Sequence, residues 1–206
     1  MISAQEALKT LHEGNNRYVS GVSNSNTKTS YAQRCALAAA QEPFAIILGC
    51  SDSEAPTEII LDQGFGDLFV IRVAGNIVAS SQIGSVELAT EKFGTRLVVV
   101  MGHSKCGVVL ATLEELRHEP KEKSQNLCSI IDRIRPSIEM LPGAELGDYS
   151  DSFVQQAVRA NICASINHLQ QRSEVLEQLI KKDGLIIVGA EYSLETGVVD
   201  FFDNVP

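Results

Sequence analysis

The chain has 206 residues, of which 44% are apolar, and it carries a formal net charge of -9 with an isoelectric point near 4.9. An acidic surface of this kind repels nucleic acid and anionic lipids, so neither is an expected partner, and we expect a small-molecule substrate. No segment approaches the roughly 20 apolar residues that a membrane span needs, and no charged leader precedes an apolar run near Met1, so we expect a cytoplasmic protein.

The start of the chain predicts an N-terminal helical arm. Residues 3–18 place apolar side chains at helical spacing, and Ser3 belongs to a residue type that caps helices, so this segment predicts an amphipathic helix. Residues 21–29 are polar and predict a loop or an extended arm. The Ala-rich residues 31–40 predict a second helix that leads into the rest of the chain.

After the arm, strand and helix patterns alternate. The predicted strands and the helices that follow them are, in order, 44–49 with 56–63, 68–72 with 81–93, and 97–101 with 106–117. The remaining predicted elements are a helix at 125–140, a loop at 142–148, a helical stretch at 150–180, a strand at 185–190, a turn at 194–197 and an edge strand at 198–202. This alternation predicts an α/β fold with a mainly parallel central β-sheet and flanking helices. We expect residues 1–40 and this α/β core, 41–206, to form a single domain.

Two of the predicted strands end in residues that bind soft metals. Cys50 follows the strand at 44–49, and His103 and Cys106 follow the strand at 97–101. Parallel strands present their carboxyl ends at one edge of the sheet, so we expect these three side chains to converge. Two thiolates and one imidazole predict a zinc site with one coordination position left over, as in catalytic zinc sites. The alternative is that both cysteines are small core residues and that the histidine caps a loop.

Asp52 lies two residues after Cys50, close enough to act at the metal in either of two ways. Its carboxylate can accept a hydrogen bond from a hydroxide at the metal and orient it, or it can turn and occupy the fourth coordination position itself. Two thiolates cancel the charge of zinc, so the ion lowers the pKa of its bound water less than it would with three imidazole ligands. Such a site therefore needs help from a nearby carboxylate such as that of Asp52. The alternative is a loop aspartate that caps a helix at Pro56.

Several segments around these residues resemble the beta-class carbonic anhydrases. The segments are Cys50-Ser-Asp52-Ser, residues 62–76 (DQGFGDLFVIRVAGN), Gly84-Ser-Val-Glu87 and Gly102-His103-Ser-Lys-Cys106-Gly107, with weaker matches at 187–189 and 194–197. The resemblance covers residues 5–202, which is most of the chain.

This resemblance implies a zinc ion bound by Cys50, His103 and Cys106, with Asp52 as a catalytic residue or a fourth ligand. It also places Gly107 beside the metal ligands or the substrate. The implied reaction is the reversible hydration of carbon dioxide to bicarbonate. The implied assembly is a homodimer or a larger homo-oligomer, in which the polar N-terminal arm lies over the partner subunit.

One position departs from the pattern of the family. The family motif continues Cys-x-Asp-x-Arg, whereas this chain has Glu54 in place of the arginine. In the family that arginine pairs with the aspartate and keeps it off the metal, which a glutamate cannot do, and a second carboxylate adds negative charge where bicarbonate should sit. We therefore expect Asp52 to close the zinc site unless another cation, such as Lys105, replaces the arginine. The alternative is that Glu54 points to solvent.

Three functions remain open. We favour a carbonic anhydrase whose activity is reduced because Glu54 replaces the arginine. The second function is a zinc enzyme of the same fold that acts on another small electrophile, with Glu54 recognising a cationic or hydrogen-bond-donating substrate. The third is a non-catalytic zinc protein in which Asp52 closes the metal site.

Overall fold

The computed structural model describes residues 2–23, 30–37, 41–117, 124–147 and 149–202. The helices are α1 Ala4–Val19, α2 Tyr31–Leu37, α3 Thr57–Ile60, α4 Ser80–Lys92, α5 Gly107–Arg117, α6 Gln125–Glu139, α7 Asp151–Gln171 and α8 Glu174–Lys182. The strands are β1 Ala45–Gly49, β2 Leu68–Arg72, β3 Leu97–His103, β4 Ile186–Tyr192 and β5 Val199–Phe202. Short 3-10 turns span Ala74–Asn76 and Ala144–Leu146.

The strands form one five-stranded sheet in the order β2-β1-β3-β4-β5. Neighbouring strands are parallel from β2 to β4, and only β5 runs antiparallel to its neighbour. The chain passes from β1 to β2 on one side and then crosses to β3 on the other side of β1. The strand order therefore reverses at β1, and such a switch point forms a crevice at the carboxyl ends of the strands. Gly49 pairs with Met101 across this point, so the residues that follow the two strands lie next to each other.

Apolar side chains project from both faces of the sheet. Ile46 and Leu48 of β1 belong to one buried cluster, together with Ile162 of α7, whereas Ile47 belongs to a second cluster with Leu11 of α1. The period of two in a strand explains this division, because successive side chains point to opposite faces. Helices α4 to α8 therefore cover one face of the sheet, and α1 with α3 covers the other. Among the described helices, none combines the length and the apolar character that crossing a bilayer requires.

The α/β fold and the mainly parallel sheet are confirmed, whereas several element boundaries differ from the prediction. Strand β3 continues to His103 because Gly102 and His103 pair with Glu191 and Tyr192 of β4. The helical stretch predicted at 150–180 is two helices, α7 and α8. They are separated at Ser173, whose hydroxyl accepts a hydrogen bond from the backbone N–H of Leu176 and so caps α8.

Outside the sheet, the observed elements agree less well with the prediction. Ser3 and Glu6 form the capping box of α1, as the predicted cap of this helix requires. The helix predicted at 56–63 is only the short α3, and Pro56 precedes it rather than lying in its first turn. Residues 24–29 of the arm expected at 21–29 and residues 38–40 of the helix predicted at 31–40 lie outside the described residues.

We predict that Ile162→Ala lowers the free energy of unfolding by about 2–5 kcal/mol, because the side chain is fully buried and its removal leaves a cavity between α7 and the sheet. Urea denaturation followed by circular dichroism measures this loss. Leu88→Ala is the matched control, since Leu88 lies on α4 with 52% of its surface exposed, and we expect a change within about 0.5 kcal/mol. Equal losses in the two variants would contradict this packing.

Candidate metal centre

Four residues with metal-binding side chains meet in the crevice between β1 and β3. Cys50 follows β1, His103 ends β3, Cys106 precedes α5, and Asp52 lies in the loop after β1. One ligand atom from each of these side chains lies within 4.8 Å of the other three. Cys50, His103 and Cys106 are buried, whereas the side chain of Asp52 is 33% exposed. The structure thus brings together the four residues that the sequence suggested as metal ligands.

The distances between these atoms fit a tetrahedral zinc ion. Cys50 Sγ lies 3.8 Å from Cys106 Sγ, and His103 Nε2 lies 3.3 Å from Asp52 Oδ2. Ligands around a tetrahedral ion are separated by about 1.6 times the bond length, so Zn–S bonds of about 2.3 Å and Zn–N or Zn–O bonds of about 2.0–2.1 Å require separations of about 3.8 and 3.3 Å. The spacing of both pairs agrees with that requirement.

The orientation of His103 also fits a metal ligand. Its Nδ1 lies 3.0 Å from the carbonyl oxygen of Ser104 and can donate to it. Its Nε2 is buried and makes no hydrogen bond in the described part of the chain, although Asp52 Oδ2 lies 3.3 Å away. A histidine that binds a metal commonly donates its other ring N–H to a carbonyl group in this manner. The lone pair of Nε2 is therefore available for a cation.

The two sulfur atoms lie at hydrogen-bond distance and change each other's acidity. The hydrogen bond from Cys106 lowers the pKa of Cys50, and the same bond together with burial raises the pKa of Cys106. The backbone N–H of Gly75 also donates to Cys50 Sγ at 3.3 Å. Ionisation of one thiol thus opposes ionisation of the other, and a cation bound between the two sulfurs would allow both to ionise.

Arg72, at the end of β2, holds the loop that carries Cys50 and Asp52. Its Nε donates to the carbonyl oxygen of Cys50 at 2.7 Å, and its second terminal nitrogen donates to the carbonyl oxygen of Asp52 at 2.6 Å. The guanidinium group thus binds the backbone of the loop rather than the Asp52 carboxylate. Sequence reasoning had noted Arg72 only as part of a motif, and this structural role was missed.

A second support comes from the turn after β2. Gly75 has a φ of 67°, and a Cβ atom at this position would lie 2.5 Å from Val108 and 2.8 Å from Ile134, so only glycine fits. Asn161 of α7 donates to the Gly75 carbonyl oxygen at 2.8 Å, and Ser165 donates to the next carbonyl oxygen at 2.9 Å. Both were missed from sequence, although a polar residue on the buried face of a helix is a usable signal.

The other residues that the sequence suggested for the site, Gly107, Glu54 and Lys105, make different contacts in the structure. The backbone N–H of Gly107 donates to Asp52 Oδ2 at 3.3 Å, so Asp52 contacts the start of α5 and does not cap α3. Glu54 is exposed and forms no hydrogen bond or ion pair within the described residues, as expected for a side chain that points to solvent. Lys105 pairs with Glu195 at 2.6 Å. Lys105 therefore does not take the place of the missing arginine beside Asp52.

Comparisons with known proteins agree with this geometry. A family model described as carbonic anhydrase matches residues 45–199. The chain is 36% identical to carbonic anhydrase 2 of Mycobacterium tuberculosis over 97% of this chain and 93% of that protein. It is 37% identical to a carbonic anhydrase of Mycolicibacterium smegmatis over 94% of this chain and 91% of that protein.

Solved structures show the same fold. The crystal structure of the β-carbonic anhydrase CafA of Aspergillus fumigatus superposes with a TM-score of 0.75 at 27% identity, covering 85% of this chain and 82% of that chain. The β-carbonic anhydrase CcaA gives a TM-score of 0.71 over 95% of both chains at 23% identity. The sequence matches, the shared sheet and the group of Cys, His and Asp side chains agree: the chain belongs to the beta class of the carbonic anhydrase family.

Proposed function

We propose that this protein catalyses the reversible hydration of carbon dioxide to bicarbonate at a zinc ion bound by Cys50, His103 and Cys106. The observation that carries the proposal is the meeting of two buried sulfurs and a buried imidazole nitrogen that makes no hydrogen bond within the described residues, at the switch point of the sheet. The names of the relatives support the reaction, and the separation of the ligand atoms supports the metal.

When bound, zinc supplies a Lewis acid that lowers the pKa of a water molecule at the site. Cys50 and Cys106 as thiolates cancel the charge of the ion, so the reaction depends on neighbouring groups. Hydration adds the hydroxyl of water to the carbon of carbon dioxide and releases a proton. Asp52 is the carboxylate nearest to the ligand atoms, and it can accept a hydrogen bond from that hydroxyl and direct its lone pair towards the carbon.

The orientation of Asp52 favours reduced activity in this protein. Its Oδ2 lies among the ligand atoms, 3.3 Å from His103 Nε2, where a carboxylate can act as a fourth ligand and exclude water. An arginine in place of Glu54 would draw the carboxylate outwards by a charge-assisted hydrogen bond. Because Glu54 is exposed, solvent screens its own charge, so the loss of the cation matters more than the gain of a carboxylate.

We predict that Glu54→Arg hydrates carbon dioxide faster than the parent protein by about tenfold or more. A hydrogen bond to a charged group contributes about 1.5–3 kcal/mol, and about 1.4 kcal/mol corresponds to a tenfold change in rate. The measurement is stopped-flow hydration by zinc-loaded protein between about pH 6.5 and 9. Asp52→Ala is the control, and we expect it to stay slow because it lacks the carboxylate that orients the hydroxyl.

Two outcomes would contradict this account. If Glu54→Arg were no faster than the parent, the orientation of Asp52 would not limit the reaction. If both proteins were inactive at every pH although zinc was bound, carbon dioxide would not be the substrate, and another electrophile or a non-catalytic role would gain support.

We predict that the protein binds one zinc ion per chain and that Cys106→Ser releases it, because a serine hydroxyl is a far poorer ligand for zinc than a thiolate. Elemental analysis after dialysis measures the zinc content. Cys128→Ser is the matched control: this cysteine lies on α6, outside the group of ligand atoms, and its variant should keep the metal. Full retention of zinc by Cys106→Ser would remove Cys106 from the coordination sphere.

We also infer that the protein is a cytoplasmic, single-domain protein that assembles as a homodimer or a larger homo-oligomer. The connection between β1 and β2 supports the assembly, because Ile59 and Phe65 expose 56% and 50% of their surfaces. Two beta-carbonic anhydrases of Sordaria macrospora, with the same fold at 22% identity, are described as tetrameric.

We predict that light scattering gives a mass at least twice that of one chain, 22.3 kDa, at micromolar concentration. Burial of exposed apolar surface between subunits is the expected driving force. A mass equal to that of one chain would refute the assembly.

A further inference from the structure

Only Ser104 and Lys105 separate His103 from Cys106, and both of these residues bind the same carboxylate. Ser104 Oγ donates to Glu195 Oε2 at 2.9 Å, and Lys105 Nζ lies 2.6 Å from Glu195 Oε1. We propose that Glu195 is a positioning residue that holds the two-residue link between these ligands and thereby sets the geometry of the metal site. The inference rests on the proposed zinc site and gives it a further component.

The first contact acts on His103 through the backbone of Ser104. The carbonyl oxygen that faces His103 Nδ1 at 3.0 Å belongs to Ser104, so the direction of this peptide group decides where the imidazole ring points. Ser104 is fixed at two further atoms, since its N–H donates to the Tyr192 carbonyl oxygen at 2.9 Å and its Oγ accepts from the Leu194 N–H at 3.0 Å. Glu195 accepts a hydrogen bond from the Ser104 hydroxyl and completes this set of contacts. Groups that orient a ligand histidine in this manner affect how strongly the metal is bound.

The second contact acts on the backbone of Lys105. This residue has a φ of 58°, a left-handed conformation that residues with a Cβ atom rarely adopt. Its side chain and that of Glu195 are 68% and 48% exposed, and an ion pair so exposed contributes little to the stability of the fold. The pair instead matters for the link because it joins this left-handed residue to the same carboxylate that binds Ser104, so Glu195 contacts two successive residues.

Glu195 lies in a hydrogen-bonded turn between β4 and β5. The Gly197 N–H donates to the Ser193 carbonyl oxygen at 2.9 Å. Asn15 of α1, which is 4% exposed, donates to the Gly197 carbonyl oxygen at 2.9 Å and accepts from the Val199 N–H at 2.9 Å. The segment 194–197, which carried only a weak family match in the sequence, thus gains a role: it places a carboxylate over the ligand loop.

The test compares the zinc affinity of Glu195→Ala, Glu195→Gln and the parent protein by competition with a chelator, starting from zinc-loaded protein. We expect Glu195→Ala to bind zinc about tenfold or more weakly, in the range found when a group that orients a ligand is removed. Glu195→Gln keeps an oxygen that can accept from Ser104 and should recover most of the affinity. The matched control is Glu177→Ala, which removes a glutamate of 52% exposure from an ion pair with a lysine of 63% exposure on α8. We expect it to bind zinc as the parent does.

A second measurement reports geometry directly. Cobalt substituted for zinc gives a visible absorption spectrum that depends on the arrangement of the ligands, and we expect this spectrum to change in Glu195→Ala and to remain unchanged in Glu177→Ala. If Glu195→Ala matched the parent in zinc affinity and in spectrum, the inference would be wrong while the zinc site stood. If the parent itself bound no zinc, or if Cys106→Ser kept all of it, the proposed site would fail, and the inference would fail with it.

Discussion

Two buried sulfur atoms held 3.8 Å apart are the constraint on which the site depends. Their separation follows from the parallel pairing of β1 with β3, which brings Cys50 beside the end of the strand that carries His103. Two buried thiolates at this distance repel each other, so one proton or one cation must lie between them. Metal binding and the packing of the sheet edge are therefore linked, because the cation allows the sheet to bury both sulfurs in ionised form.

Both helical layers reach this edge of the sheet, and each stabilises a different part of the site. On one face, Asn161 of α7 binds the turn whose Gly75 N–H donates to Cys50 Sγ. On the other face, Asn15 of α1 binds the turn that carries Glu195. Both asparagines are nearly fully buried, and each satisfies a backbone carbonyl that has no partner in the sheet. The polar residues in these helices thus hold loops in place while their apolar neighbours pack against the sheet.

The parts of this site that could be predicted are local in sequence. Cys50 follows an apolar strand directly, and Cys106 lies three positions after His103, so the strand pattern alone places them at one edge. Other contacts connect residues far apart in the chain: Asn161 with Gly75 across 86 residues and Glu195 with Ser104 across 91. No local pattern indicates such partners, since they depend on how the finished layers pack. The end of β3 was misplaced for the same reason, because pairing with β4 extends the strand through two residues that resemble a loop.

The negative charge of the site affects the binding of carbon dioxide and the binding of bicarbonate differently. Two thiolates cancel the charge of zinc, so the Asp52 carboxylate gives the group a net negative charge, and the guanidinium of Arg72 beside it is bound to backbone carbonyls. Carbon dioxide is neutral and is not repelled by this charge, whereas bicarbonate is an anion and is bound less tightly. The overall equilibrium fixes the ratio of kcat/KM for hydration to kcat/KM for dehydration, so weak binding of bicarbonate cannot favour one direction at equilibrium. Its effect is to raise the KM for bicarbonate and to hasten the release of product. If Asp52 occupies the fourth coordination position in the zinc-loaded protein, this blockage slows both directions alike, and there the absence of the arginine would cost the enzyme most.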